Sequence, residues 1–456
     1  GGELGMKKKV FTGIVIFVLV LAANVLGATK EFMVQTSSLS GTDVPYVISF
    51  SKMLEMVGDN FEANWYSIRV YDESNKELPY QIEDIDMNRK ISAGDRLAFM
   101  FRSKAKIVVS DDSDMDLGEY APVFNIEEKD GAYMVSTDKF TVKVDNHALV
   151  SFIKYGANEG TLFNELGIVR VAGWSMNTYY TDGKLGKHEE NVSASFDVQS
   201  FKILQAGPVC VTAQALMTTK LFPGYNQELT VHIFKNGDVL TENRFFFTNY
   251  VSLMKLQLMA TAPVTSYDEG AVHILPMFRK MIWTDQLNST PYEYWLERNA
   301  VKMVDNKPYI SFAAIDSVKP FWWGAAYIFS SMESWRANFS EKYSIGAAEI
   351  LPVKPMVYAD MEKFINGDTW VYESREFRDG IFRWMPDEFN VYESTKDVFL
   401  PYSDENVGNQ WMAKFKANDE LTYTRIYSMF DAKNTEDAVR YLENRTKDIQ
   451  GIKLSK

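Results

Sequence analysis

The chain has 456 residues, 46% of them hydrophobic and 14% aromatic, which is ample for a packed interior and far from the composition of a disordered chain. A formal net charge of −13 disfavours nonspecific binding to nucleic acid phosphates, and no nucleic-acid partner is expected. The single cysteine, Cys210, excludes both an intrachain disulfide and a cysteine-based metal centre, so folding rests on packing alone.

The amino end reads as an export address. Lys7, Lys8 and Lys9 form a positive start, Val10 to Ala23 is apolar, and the small residues Gly27 and Ala28 follow before charge returns at Lys30. The residues before Met6 read as a tag remnant or an over-extended start, and 1–28 as a whole is set aside from the fold. Cleavage after Ala28 implies a secreted, periplasmic or cell-surface protein. Left uncut, the uncharged run from Val10 to Thr29 is about long enough to cross a bilayer, the only expected contact with a membrane.

Residues 31–110 are expected to form a small β-sandwich, with strands at Tyr46 to Phe50, Trp65 to Tyr71, Leu78 to Ile82 and Leu97 to Phe101 and turns at Asp72 to Lys76 and Ser92 to Asp95. The acidic stretch Ser110 to Asp116 breaks this pattern and opens a linker, 111–131. From residue 132 to the end the chain reads as one large antiparallel β-domain with a short terminal helix. Its clearest pieces are Lys139 to Val144 followed by Leu149 to Tyr155, and a hairpin with arms Leu229 to Phe234 and Val239 to Phe246 around Asn236-Gly237. Further strands are predicted at Ile168 to Trp174, Ser193 to Leu204, Val209 to Thr218, Ser252 to Ala260, Lys280 to Thr284, Tyr309 to Ile315, Gly324 to Ser330 and Asn409 to Lys416. A helix opens at Asn434 or Thr435 and turns Val439 and Leu442 inward. No repeat of fixed period is evident, which disfavours a propeller or solenoid.

Three stretches carry a resemblance. Lys139-Phe140-Thr141-Val142-Lys143-Val144-Asp145 with Leu149 to Ile153, the Gly207-Pro208-Val209 strand start, and the Glu228 to Phe247 hairpin resemble galactose-mutarotase-like supersandwich domains of the polysaccharide lyase type. Leu78 to Asp84 through Gly94 to Phe99 resembles the small sandwich that precedes such domains in exported proteins. The resemblance implies an all-β fold, a small N-terminal β-sandwich followed by a large antiparallel β-supersandwich over 132–456. It further implies a carbohydrate-active protein, acting as a monomer on a polysaccharide or oligosaccharide.

Cleavage of a uronic-acid glycan by β-elimination needs a base, an acid for the leaving oxygen, and cations or donors that stabilise the enolate-like intermediate. Tyr179 and Tyr180, with Lys187 and His188 in the polar loop that follows, are the candidates for proton transfer and substrate binding. Arg375 and Arg383 are the candidates for the substrate carboxylate, and Arg279, Trp283 and Trp384 for substrate binding and ring stacking. The bland alternatives are a solvated loop over packed aromatics for the first cluster and an ordinary sheet surface for the second. Calcium is weakly suggested by Glu83, Asp84, Asp86, Asn88 and Asp95 and by Asp111 to Asp116, neither with the spacing of a known calcium loop, and no cofactor is expected. His232 lies in an alternating strand and reads as structural. A noncatalytic glycan-binding or envelope protein, and after it a glycoside hydrolase, are the competing expectations.

Overall fold

A computed structural model describes residues 29–57, 64, 67–111, 118–159, 165–166, 170–173, 192–194, 197–219, 223–253, 255–257, 271–276, 296, 299–313, 325–331, 334–352, 369–374, 382–384, 388–389 and 413–456. The export segment read over 1–28 lies outside them, as does the strand expected at Lys280 to Thr284. The chain is all-β in its architecture, with antiparallel pairing throughout the described strands, and divides into two compact units.

The first unit contains Asp43–Ala121, the described residues up to Ser37, and Gly451–Lys456. Its elements are β1 (Thr29–Gln35), β2 (Val44–Ser49), helix α1 (Phe50–Val57), β3 (Ile68–Asp72), β4 (Tyr80–Glu83), β5 (Arg96–Phe101) and β6 (Lys104–Ser110). One sheet runs β3-β6-β1 and ends on the terminal strand Lys453–Ser455; the other runs β2-β5-β4. In β6, Ala105, Ile107 and Val109 are buried between less buried neighbours, the period of two that assigns one face to a core. Asp72 closes the turn after β3 by accepting the Ser74 and Lys76 N–H groups at 2.8 and 2.9 Å.

The second unit comprises Ser38–Thr42 and Pro122–Gln450. Strands β7 (Asn125–Lys129), β8 (Ala132–Ser136), β9 (Phe140–Val144) and β10 (Val150–Tyr155) pair in sequence order. β7 lies in the stretch read as linker, where Glu127, Glu128 and Lys129 gave no alternation because this edge strand is mostly exposed. The larger sheet has ten strands: β11 (Asp197–Ala206), β12 (Cys210–Thr218), β13 (Tyr225–Phe234), β14 (Asp238–Phe247), β15 (Ala271–Pro276), β16 (Val301–Val304), β17 (Lys307–Ala313), β18 (Trp335–Ser340), β19 (Ile345–Ile350) and β20 (Glu420–Asp431). Their order is β11-β12-β13-β14-β20-β19-β18-β15-β17-β16.

Alternate residues of the large sheet, among them Val211, Ala213, Leu229, Val231, Ile233, Val239, Phe245 and Tyr427, form one core with Val135, Phe140, Val142, Val150 and Phe152 of the small sheet. This defines the inner face. Between β13 and β14, Gly237 alone takes a positive φ (+95°), with its N–H on the Phe234 carbonyl at 2.9 Å. The hairpin therefore turns through a longer loop with a glycine bulge rather than through a two-residue turn, which would need two positive φ angles.

The outer face at the sheet's centre is covered by α2 (Thr435–Gln450). Asn434 caps it, its side chain accepting the Asp437 N–H at 2.9 Å, and Glu436 and Asp437 complement the positive end of the helix. Val439 and Leu442 are buried as the spacing predicts, and Tyr441 stacks on Phe430 of β20 with ring centroids 5.3 Å apart. Fully buried Arg445 pairs with Asp238 at the start of β14 and donates to the Thr42 hydroxyl at 2.9 Å. Asp238 also accepts from Ser428 at 2.5 Å, while Asp448 accepts the N–H groups of Leu39 and Ser40, both at 2.7 Å. The helix, two central strands and the 38–42 loop are thus tied by one buried polar network.

Truncating Arg445→Ala strands the Asp238 carboxylate and is expected to cost about 3–5 kcal/mol in urea unfolding. Gly346→Ala gives a second test: the added methyl collides with the Phe430 ring and lies 2.9 Å from the Asn338 carbonyl oxygen, a cost of about 1–3 kcal/mol.

Candidate functional site

Successive strand residues point to opposite faces, so antiparallel register fixes which side chains share the inner face. Val239 pairs with Tyr427, Tyr427 with Glu349 and Glu349 with Arg336, and this row begins in the apolar core and ends in charge. The next row on the same face runs Met429, Ala347 and Asn338. On the other side Thr241 pairs with Arg425, and Asn243 with Tyr423.

Arg336, Asn338, Glu349 and Arg425 form a buried polar cluster at the middle of the ten-stranded sheet. Glu349 is fully buried and shared between two guanidinium groups: Arg425 Nε stands 3.2 Å from one carboxylate oxygen, and Arg336 bonds the other. Arg336 and Arg425 are 3% and 2% exposed, so all three charges are out of water. Asn338, 1% exposed, holds its side-chain oxygen without a hydrogen-bond donor among the described residues. Further along the face the Gln227 amide donates to Asn243 at 2.8 Å, and the Gln227 side-chain oxygen also has no donor among the described residues.

Burial sets what the phenols of this face can do. The Tyr225 phenol is pushed well above its ordinary value by burial, and the Tyr155 phenol is pushed up by burial first and then by the Asp431 charge. Neither is poised to lose its proton near neutral pH, so neither serves as an elimination base. His232, read as structural, is on the opposite face of β13, fully buried with Nδ1 3.2 Å from the Thr212 hydroxyl.

Tyr179, Tyr180, Lys187, His188, Arg279, Trp283 and Arg375 lie outside the described residues. Arg383 and Trp384 are on a short strand, Phe382–Trp384, in register with Tyr372 and Val371 of Thr369–Ser374, in a three-stranded sheet separate from the ten-stranded one. Among the described residues, Arg336, Asn338, Glu349 and Arg425 come together, from strands that sequence reading missed. The signal was an Arg-x-Asn spacing on β18 and lone charges within otherwise apolar runs on β19 and β20, positions that must point into a core when both faces are covered.

Of the expected metal ligands, Asp84, Asp86 and Asp95 come together, with one carboxylate oxygen each within 4.8 Å of the others. Backbone N–H groups already engage them. Asp95 accepts from Ile85 and Ser92 at 2.9 and 2.6 Å, Asp84 from Asn88 and Arg89 at 3.1 and 2.8 Å, and Asp86 from Asn88 at 3.2 Å. The group acts as the scaffold of its own turn, in which Met87 and Arg89 take positive φ angles of 56° and 59°.

No protein-family model and no curated protein sequence matches the chain. Among solved structures, a galactose mutarotase-like protein from Lactobacillus casei is similar at 10% identity and a TM-score of 0.36, covering 67% of this chain and 100% of that one. A GalM/aldose epimerase homologue from C. elegans is similar at 10% identity and a TM-score of 0.34, covering 68% and 100%. A Synechocystis structural-genomics protein is similar at 5% identity and a TM-score of 0.35, covering 70% and 100%. Likeness at this level leaves the fold description to the sheet order and register themselves.

The cluster makes opposite demands on two substitutions. Glu349→Gln leaves two guanidinium groups facing each other in the core and is expected to lower stability by about 3–5 kcal/mol. Asn338→Leu removes a buried acceptor that has no donor among the described residues and is expected to change stability by less than about 1 kcal/mol, or to raise it; urea melts of both variants check the pair.

Proposed function

We propose that the protein is an exported carbohydrate-active protein that holds an acidic saccharide on the inner face of its ten-stranded sheet and cleaves it by β-elimination. The observation that carries this reading is the Arg336–Glu349–Arg425 cluster, which places two buried guanidinium groups and the Asn338 amide on one face of the sheet. A uronate carboxylate has the planar geometry that guanidinium groups pair with best. The adjacent amide oxygen offers an acceptor for a sugar hydroxyl. The chain's net charge of −13 does not oppose this, because the local field in a low-dielectric site outweighs distant surface charge.

In such a reaction the guanidinium groups neutralise the substrate carboxylate and so acidify the neighbouring C–H. A base takes that proton, the bond to the leaving glycosidic oxygen breaks as a carbon–carbon double bond forms, and the leaving oxygen is protonated. Tyr179, Tyr180 and His188 retain the proton-transfer roles proposed for them from sequence.

Incubation with a panel of uronic-acid glycans, followed by ultraviolet absorbance of the unsaturated product, tests the reading. Product is expected from at least one glycan, with Arg425→Met reducing the rate about tenfold to a hundredfold, the worth of a charge-assisted hydrogen bond. Retention of glycan without product identifies a noncatalytic binder, and reducing ends without the chromophore identify a hydrolase. Folded protein that neither retains nor cleaves any member of the panel overturns the proposal.

A further inference from the structure

Trp335 precedes Arg336 on β18 and therefore faces the opposite side of the sheet, where it borders a separate crevice. The hairpin β16–β17 and helix α2 frame this half-open space of about 210 Å³. The hairpin turns on Asp305 and Asn306, with φ angles of 49° and 62°, and its tip is clamped to the helix: Arg440 Nε lies 3.2 and 3.1 Å from the two Asp305 oxygens. On the inside, Trp335 donates its indole N–H to Glu443 at 2.9 Å. Both walls are thus set by contacts already made.

The chemistry of the lining is mixed in an instructive way. Val304, Val439, Pro276 and Pro308 give apolar surface, and Asn444 gives an amide. Lys307 and Lys447, both exposed, stand on the two sides, one from the hairpin and one from the helix. Three cations, Lys307, Arg440 and Lys447, against two anions, Asp305 and Glu443, leave one positive charge, and the clamp already engages Arg440 and Asp305. Burial pushes the Tyr309 phenol, another part of the lining, up to about 12, so it stays a neutral hydrogen-bonding group at physiological pH. The space falls below the roughly 300–1,000 Å³ of pockets for drug-sized ligands, which fits one ring and not an extended chain.

We propose that this crevice is a second saccharide site that takes a single acidic sugar unit, its carboxylate between Lys307 and Lys447 and its C–H face on the proline and valine walls. The proposal rests on the acidic-saccharide reading for its ligand class but on different residues and the other face of the sheet. It places a chain-holding subsite away from the cluster around Glu349.

Calorimetric titration of the full chain with free galacturonate, with glucose and acetate as controls, tests it. Galacturonate is expected to bind, with glucose and acetate at least about tenfold weaker, and Lys307→Ala/Lys447→Ala to lose at least about tenfold in affinity without a change in melting temperature, whereas Asn338→Leu leaves this binding intact. Galacturonate binding that survives the double lysine variant but falls in Asn338→Leu overturns the crevice proposal and leaves the sheet-face reading standing. Binding lost in the lysine variant, in a protein that neither retains nor cleaves any uronic-acid glycan through Arg425, upholds the crevice and overturns the sheet-face reading. Equal affinities for galacturonate and acetate, or no galacturonate binding at all, overturn the crevice as a sugar site.

Discussion

A sheet ten strands wide exposes more surface than one partner layer can cover, and the structure of the second unit follows from how each face is closed. The small sheet β7–β10 closes one part of the inner face with aliphatic and aromatic side chains. Helix α2 closes the outer face over the central strands, held there by Arg445 on Asp238 and by the Tyr441–Phe430 stack. Where the aliphatic core ends, the inner face is completed by Arg336, Asn338, Glu349 and Arg425. The same strands therefore carry a packed helix on one side and charge on the other.

That charge is difficult to account for by folding alone. Burying an ion pair usually contributes little net stability against well-packed apolar residues of similar size. Among the described residues the side-chain oxygens of Asn338 and Gln227 have no donor, which adds a desolvation cost. The Arg445–Asp238 pair makes an informative contrast. It is balanced, with Ser428 and Thr42 supplying additional hydrogen bonds, and it joins separate parts of the unit. The Arg445–Asp238 network joins separate parts of the unit, whereas the Arg336–Glu349–Arg425 cluster lies along one face of a single sheet.

How much of this was legible in the sequence depends on whether a strand shows water to one face. β5, β9, β10 and the β13–β14 hairpin have alternating or turn-bounded patterns and were read within a few residues. The cap and inward face of α2 were read from Asn434 and the spacing of Val439 and Leu442. β18 and β19 were missed because every residue in Trp335–Ser340 and Ile345–Ile350 is buried, so no alternation survives, and Gly346, Ala347 and Ala348 carry little strand propensity. The inner-face cluster was lost with them. Loops rich in Tyr, His and Arg drew the functional reading toward residues 174–190 and 370–384, whereas register assembles the cluster from three non-consecutive stretches, which no local pattern can reveal. His232 was read as structural from the apolar–polar order of Leu229-Thr230-Val231-His232-Ile233, and it is fully buried beside the Thr212 hydroxyl.

The central claim is that the guanidinium groups around Glu349 receive a substrate carboxylate. Its most direct measurement compares the affinity of the full chain for an acidic oligosaccharide and for the same oligosaccharide with its carboxyl groups reduced to alcohols. The account predicts that the acidic form binds at least about tenfold tighter and that Arg336→Met narrows the gap. Equal affinity for the two forms, or a preference that Arg336→Met leaves untouched, contradicts it.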